Sequence, residues 1–197
     1  MEGMEITVAA DGSALGNPGP AGWAWYVDEN CWAAGGWTES TNNRGELMAV
    51  VDFLEQTSSI PNLTIHFLCD SQYVINSVTK WMPGWKRRGW RKADGKAVLN
   101  DDLMKRLDQG LAGRAVDFHW VKGHAGHTLN EKVDQLARGA ATAYQQGVSP
   151  HTGPGLSPEL CGLATHPQSA ANMAPPSPTA PTAPPDTRDA GVQETLF

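Results

Sequence analysis

Four acids and one histidine stand out as residues able to do chemistry together: Asp11, Glu46, Asp70, Asp134 and His124. Asp11 follows a short apolar run, MEITVAA at 4–10, and Asp70 follows another, LTIHFLC at 63–69. Glu46 and Asp134 each lie about one turn into a segment of helical periodicity. Strand ends in an α/β sheet gather at one edge, so four acids from distant parts of the chain are expected to converge there. Carboxylates brought together raise one another's pKa unless cations neutralise them. Hard oxygen donors of this kind suit Mg²⁺, with Mn²⁺ able to substitute. Two such ions roughly 3.5–4 Å apart would clamp the attacking water and the leaving oxygen of a phosphodiester, with no nucleophilic Ser or Cys required. His124, in the glycine-flanked stretch KGHAGH, suits a mobile proton carrier near neutral pH.

Each of these residues, taken singly, also has a plainer reading. Asp11-Gly12 alone is a turn former, and Glu46 alone is a first-turn acid favoured by the helix dipole. Asp134 alone is a solvated helix position, and His124 alone a surface histidine. His119, His124 and His127 could be taken for a zinc set, but no further Cys or acid at ligand spacing supports it, so zinc ranks below magnesium.

The elements that must hold these groups are readable in order. Strands are expected at 4–10, 22–29, 31–40, 63–69 and 115–121, the second and third forming a hairpin weakened by Gly35-Gly36. Helices are expected from Asn43 to about Glu55, capped by Thr41 or Asn42, then over 71–81, from Asn100 through Leu111, and over 128–144. Three consecutive strands followed by β–α–β units predict an α/β fold with a mixed sheet flanked by helices.

Net charge is −6, which by itself argues against a polyanion as partner. The distribution argues the other way. Lys80, Lys86, Arg87, Arg88, Arg91, Lys92 and Lys96 gather seven of the 15 basic residues into one segment, a local patch suited to phosphates. Cys31, Cys69 and Cys161 lack metal-ligand spacing and read as free thiols in a reducing compartment. No secretory signal pattern or membrane-length apolar run is present, so a soluble, cytoplasmic protein with no membrane partner is expected. Ten of the 14 prolines lie between Pro150 and Pro185, which predicts a catalytic domain over 1–146 and a disordered linker over 147–192.

The wording around the acids carries a resemblance. DGSALGNPGPAGWAW at 11–25, TNNRGELMAV at 41–50, CDSQYVINSVTKW at 69–81, GWKRRGW at 84–90 and VKGHAGHTLNEKVDQLAR at 121–138 closely resemble type 1 ribonuclease H of the bacterial kind, in order over 4–145. The resemblance implies a ribonuclease H-like fold with a five-stranded mixed sheet. It also implies endonucleolytic cleavage of RNA paired with DNA, leaving a 3′-hydroxyl and a 5′-phosphate. By motif position Asp11, Glu46, Asp70 and Asp134 look like the metal-binding carboxylates, and His124 like the family's flexible histidine. Asn17, Asn42, Asn43 and Gln72 match contacts to the hybrid's minor groove, while Thr41 and Asn100 match positions that hold a DNA phosphate. The segment 81–92, with Trp81, Trp85, Lys86, Arg87, Arg88 and Trp90, resembles the basic handle that grips the DNA strand; its plainer reading is a solvated basic face with core tryptophans. Gly45 stands where a bulkier residue is common and is expected to weaken its helix turn slightly.

The chain ends in Gln193-Glu194-Thr195-Leu196-Phe197. A terminal Q-x-x-L-F resembles the peptide by which bacterial proteins dock on the DNA sliding clamp, Leu196 and Phe197 filling an apolar pocket and Gln193 supplying a polar anchor. The expected substrates are cellular hybrids such as R-loops and primer RNA, and the expected state is a monomer, associated with the nucleoid when acting. Two other readings remain: another nuclease or transposase on the same fold, and a catalytically silent hybrid-binding module.

Overall fold

The computed structural model describes residues 3–123, 126–157, 159, 161 and 163. His124, Ala125 and the stretch containing Gln193, Leu196 and Phe197 lie outside the described residues, so the readings placed on them stay at the level of sequence.

Three antiparallel strands open the chain: β1 (Met4–Ala14), β2 (Gly19–Asp28) and β3 (Cys31–Ser40). Helix α1 (Asn42–Gln56) follows, then β4 (Leu63–Cys69). A helical stretch runs as α2 (Gln72–Asn76), a π-helical turn (Ser77–Trp81) and α3 (Met82–Arg87). Helix α4 (Asp101–Leu111), strand β5 (Ala115–Trp120) and helix α5 (Thr128–Gln146) complete the order. The strands form one five-stranded sheet in the order β3-β2-β1-β4-β5, with β4 and β5 parallel to β1, and β2 antiparallel to both β1 and β3. This is the mixed α/β sheet that the element order predicts.

Alternation along the strands sets the two faces. In β4, Leu63, Ile65, Phe67 and Cys69 are buried while the residues between them are half-exposed. Beneath the first face lie α1 and α4, and the aromatic rings there meet edge-on: Trp25 and Phe53 at 5.0 Å, Phe53 and Phe67 at 5.7 Å. Burying each such side chain stabilises by about 1.5–3 kcal/mol. The indole N–H of Trp25 donates to Asp52 Oδ2 at 2.7 Å, so its polar tip is satisfied within the core. On the second face α5 packs over β1–β3 through Ala137, Ala140 and Ala141. The approach is tight: a Cβ on Gly22 of β2 would stand 2.1 Å from the Ala137 carbonyl oxygen.

Three expectations are corrected. Asp11-Gly12 is no turn, because β1 continues to Ala14 and pairs Asp11 with Ala24 and Gly12 with Trp23. Gly147 does end α5 in a left-handed cap, φ 68°, but packed chain continues beyond it. The Ala34 N–H donates to Thr152 O at 3.1 Å, Gly155 N–H to Trp32 O at 2.9 Å, and Leu156 N–H to Gln56 Oε1 at 3.1 Å. His151 stacks on Trp32 with centroids 5.1 Å apart, and Cys161 and Leu163 are buried in the core. The described residues 148–157 are thus a packed strap where a disordered linker was expected from 147, because Pro and Gly along 150–155 suit a strap as well as a tether. Finally, Cys31 and Cys161 are not free: they form a disulfide with Cα atoms 5.3 Å apart, while Cys69 is a buried thiol.

Candidate active site

Parallel pairing places the first two acids. Ala9 on β1 is level with Leu68 on β4, so two residues further along, Asp11 stands level with Asp70. Glu46 arrives from α1, and a pair of glycines decides how near it can come. A Cβ on Gly12 would stand 2.3 Å from the Glu46 backbone nitrogen, and one on Gly45 would stand 2.7 Å from Gly22 O. Gly45 is thus a packing requirement of the site rather than a weak spot in its helix. With both side chains absent, the first turn of α1 lies directly on β1. Thr41 caps that turn, its Oγ1 accepting from Arg44 N–H at 3.3 Å.

The outcome is a cluster in which carboxylate oxygens of Asp11, Glu46 and Asp70 lie within 4.8 Å of one another. Asp11 is buried, and its pKa is pushed up to about 8, first by burial, then by the charge of Asp70, with smaller contributions from Asp134 and Glu46. The Gly12 N–H, donating to Asp11 Oδ1 at 2.8 Å, only partly offsets this. Glu46 is pushed up to about 7, again first by burial, with Asp70 adding to it. Two donors act the other way: the Ser71 hydroxyl on Glu46 Oε2, and the Asn42 amide on Oε1 at 2.8 Å. Asp134, on α5, stands near enough to raise the Asp11 pKa, and its own carboxylate lies 3.4 Å from Arg138 Nη2.

A partly buried group of hard oxygen donors that repel one another is short of positive charge, which divalent cations would supply. The residues present fit such ions. The one thiol nearby, Cys69, is fully buried and held protonated by burial, so it offers no competing soft ligand.

Around the acids lie most of the described residues matched to nucleic-acid contacts. The Asn17 side-chain oxygen accepts from Asn42 N–H at 3.3 Å, tying the β1–β2 loop to the start of α1. Asn43 is half-buried in that first turn, and Gln72 is exposed at the start of α2. Asn100 sits in the left-handed region, φ 57°, its amide donating to Tyr73 Oη at 3.3 Å and its oxygen 3.4 Å from Arg44 Nη1. In the handle, Trp81 is 40% exposed with its ring 5.8 Å from that of Trp85. Trp90, at φ 62°, donates its N–H to Trp85 O, and both side chains pack partly against the core. Arg87 is exposed; Arg88 donates through Nε to Arg91 O at 3.2 Å, and Lys86 pairs with Asp108 at 2.9 Å.

Sequence reasoning passed over three supporting residues. Ser71 carries a legible signal as the N-cap of α2, where its Oγ accepts from Val74 N–H, but its donation to Glu46 joins residues 25 apart and has no local signature. Arg44 pairs with Asp102 across 58 residues and lies over the Trp37 ring at 5.9 Å. Trp120, 53% exposed, donates its indole N–H to Asp70 O at 3.2 Å, steadying the chain at that acid.

Residues 3–142 match the RNase H family. A protein named Ribonuclease H from Tropheryma whipplei (strain Twist) is 50% identical over 155 residues, covering 79% of this chain and 96% of that protein. Ribonuclease HI of Caulobacter vibrioides is 48% identical over 136 residues, covering 68% of this chain and 90% of that protein. Among solved structures, LC9-RNase H1, described as a type 1 RNase H with the type 2 active-site motif, superposes with a TM-score of 0.62 at 28% identity. It covers 80% of this chain and 78% of its own. The fold alone is also shared with the foamy viral protease-reverse transcriptase in complex with an RNA/DNA hybrid, at TM-score 0.60 and 18% identity over 68% of this chain and 20% of that one. A family match over residues 3–142, joined to a carboxylate cluster at the ends of the central strands, identifies this chain as a member of the ribonuclease H family, a metal-dependent endonuclease.

Proposed function

We propose that the chain hydrolyses the RNA strand of RNA–DNA hybrids with two divalent cations, Mg²⁺ in the cell, held by Asp11, Glu46, Asp70 and Asp134. The observation that carries this reading is the cluster of three carboxylates within 4.8 Å, with Asp11 buried and Asp70 half-buried, whose mutual repulsion calls for cationic charge. When bound, such ions would supply Lewis-acid activation of a water and charge stabilisation at the leaving oxygen, consistent with 5′-phosphate and 3′-hydroxyl products. The protein's own part is to orient. Ser71 and Asn42 fix the two oxygens of Glu46, and Gly12 N–H fixes one oxygen of Asp11. Trp120 holds the backbone at Asp70. His124 would move a proton at the reacting water or the product.

Recognition would rest on the 2′-hydroxyl, both donor and acceptor, which separates RNA from DNA. Asn17, Asn43 and Gln72 would read it from the minor groove. Asn42 would serve in two ways, because its amide is also engaged with Glu46, and Asn42→Ala would disturb acid placement together with recognition. Thr41 and Asn100 would hold a DNA phosphate, supported by Arg44 beside Asn100. Trp81, Trp85 and Trp90 with Arg87, Arg88 and Lys86 would grip the DNA strand, Lys86 leaving Asp108 to do so. Sequence preference would be weak, since backbone contacts carry little base information.

We further propose that the enzyme acts as a monomer on R-loops and primer RNA in the bacterial cytoplasm, at the nucleoid, and that Gln193, Leu196 and Phe197 recruit it to the sliding clamp. In a reducing cytoplasm the Cys31–Cys161 bond would persist only while its burial shields it. The decisive experiment is cleavage of an end-labelled hybrid with Mg²⁺ by wild type and Asp70→Asn, with duplex RNA and duplex DNA as controls. Hybrid-only cutting, lost by about a hundredfold or more in the variant, supports the reading. Hybrid binding without cutting under Mg²⁺ or Mn²⁺ would overturn it in favour of a silent binding module.

A further inference from the structure

The face of β4 and β5 turned away from α1 carries a second group of metal-ligating side chains. Helix α5 packs on that side of the sheet chiefly over β1–β3, with Leu68 of β4 at its margin, while on β5 Asp117 and His119 are exposed. His66 on β4 is level with Asp117 on β5, and His119 is the diagonal neighbour two residues further along. His66 Nδ1 lies 3.5 Å from Asp117 Oδ2, and the rings of His66 and His119 are 5.7 Å apart. One donor atom from each of the three lies within 4.8 Å of the others. Asp117 and His119 are exposed and His66 is half-buried, so the group opens to solvent.

From these positions we infer a site for a late first-row divalent cation, Zn²⁺, Ni²⁺ or Cu²⁺, bridging β4 and β5 through His66, Asp117 and His119. The spacing suits it. Zinc–nitrogen bonds of about 2.0–2.1 Å in a tetrahedral site put neighbouring donors about 3.3 Å apart, close to the 3.5 Å already separating His66 and Asp117. Bringing the third donor in needs only side-chain rotation of the exposed His119. Two imidazoles and one carboxylate favour these cations over Mg²⁺, which prefers all-oxygen sites, so this group and the carboxylate cluster would select different metals. Three protein ligands leave a fourth position to water or to a donor from another molecule. Because β4 leads directly into Asp70, a bridging ion would also tie the strand that precedes this acid to its neighbour β5.

The test uses the full chain, free of any affinity tag, in millimolar Mg²⁺ to occupy the carboxylate cluster. Calorimetric titration with Zn²⁺ should show one ion bound per chain, retained by Asp70→Asn. Affinity should fall about tenfold or more in His66→Gln and in His119→Gln. The electron paramagnetic resonance spectrum of the Cu²⁺-loaded protein should show coupling to two imidazole nitrogens in wild type and to one in either variant. Both variants alter side chains outside the carboxylate cluster, one exposed and one half-buried, and should keep wild-type hybrid cleavage in Mg²⁺. Absence of Zn²⁺ binding by wild type, or equal affinity in the His66→Gln/His119→Gln double variant, would overturn the inference, the latter placing the ion on other histidines or on the acids.

Discussion

Asp11 and Glu46 tie the stability of the metal-free protein to pH. Their folded pKa values, about 8 and about 7, stand above the unfolded values of 3.8 and 4.5. A group raised in this way favours folding fully below its unfolded pKa and loses that contribution as pH climbs through its folded pKa. In chelator, the melting temperature should therefore fall across the interval from about 4 to about 8, and Mg²⁺ should restore most of it at the upper end. Asp70→Asn removes the largest charge acting on Asp11, so it should flatten the slope and raise the metal-free melting temperature at the upper end by about 2–4 °C, even as cleavage is lost. Scanning calorimetry in chelator reads both effects, and a flat profile in wild type would contradict them. The acids themselves were legible in the sequence because each sits in a distinctive run of neighbours. Their partners were not. The Ser71 hydroxyl on Glu46 and the Arg44 fork on Asp102 join residues whose nearness depends on the finished fold.

Among the elements, the contact of α1 with β1 is the one that has no slack. Gly12→Ala would push a methyl group onto the backbone of Glu46 and Gly45, which cannot move away as a flexible side chain could. We expect a loss of about 1–3 kcal/mol in denaturant unfolding, the usual cost of overpacking. Cleavage should fall further than that destabilisation alone would produce, because Glu46 is carried outward with its helix. Wild-type activity in Gly12→Ala would show that Glu46 placement tolerates such a shift. The sequence marked the strands and helices well where a clear period or a cap was present, as with Thr41 at α1. It was less informative over 71–87, where a helix was expected only to Trp81. There the helix widens into a π turn, with Met82 N–H reaching Ser77 O, and resumes as α3. Pro83 supplies the cause: it has no N–H to offer the preceding turn, and its ring crowds the carbonyl four residues back.

For the molecule as a whole, the Cys31–Cys161 bond fastens the chain beyond α5 to the start of β3, closing a separation of 130 residues. Reduction, or Cys161→Ser, should lower the unfolding free energy by about 2–4 kcal/mol, with hybrid cleavage unchanged at ambient temperature. Cys31 lies two strands away from Asp11, so the acids should not feel the loss. Thermal melts with and without reductant, alongside a cleavage assay, check the pair of expectations. The composition shift near Gly147 concealed this part of the molecule. Proline-rich sequence lacks the periodicity of helices and strands, and a segment that docks by a few backbone hydrogen bonds and one cross-link leaves no pattern to read.

The strap over 148–157 has a consequence for behaviour in concentrated solution. An open sheet ends in two strands whose outward N–H and C=O groups can template a foreign strand, and long bare edges invite aggregation. At one side β5 is six residues long, but β3 at the other runs for ten. Of that longer edge, the Ala34 N–H and the Trp32 carbonyl are already taken by Thr152 and Gly155 of the same chain. A chain cut back to Gly147 would keep every acid of the cluster and uncover the β3 edge. It should fold, cleave and then self-associate by strand addition at concentrations where the full chain stays dispersed, which light scattering would register as a steadily growing particle size.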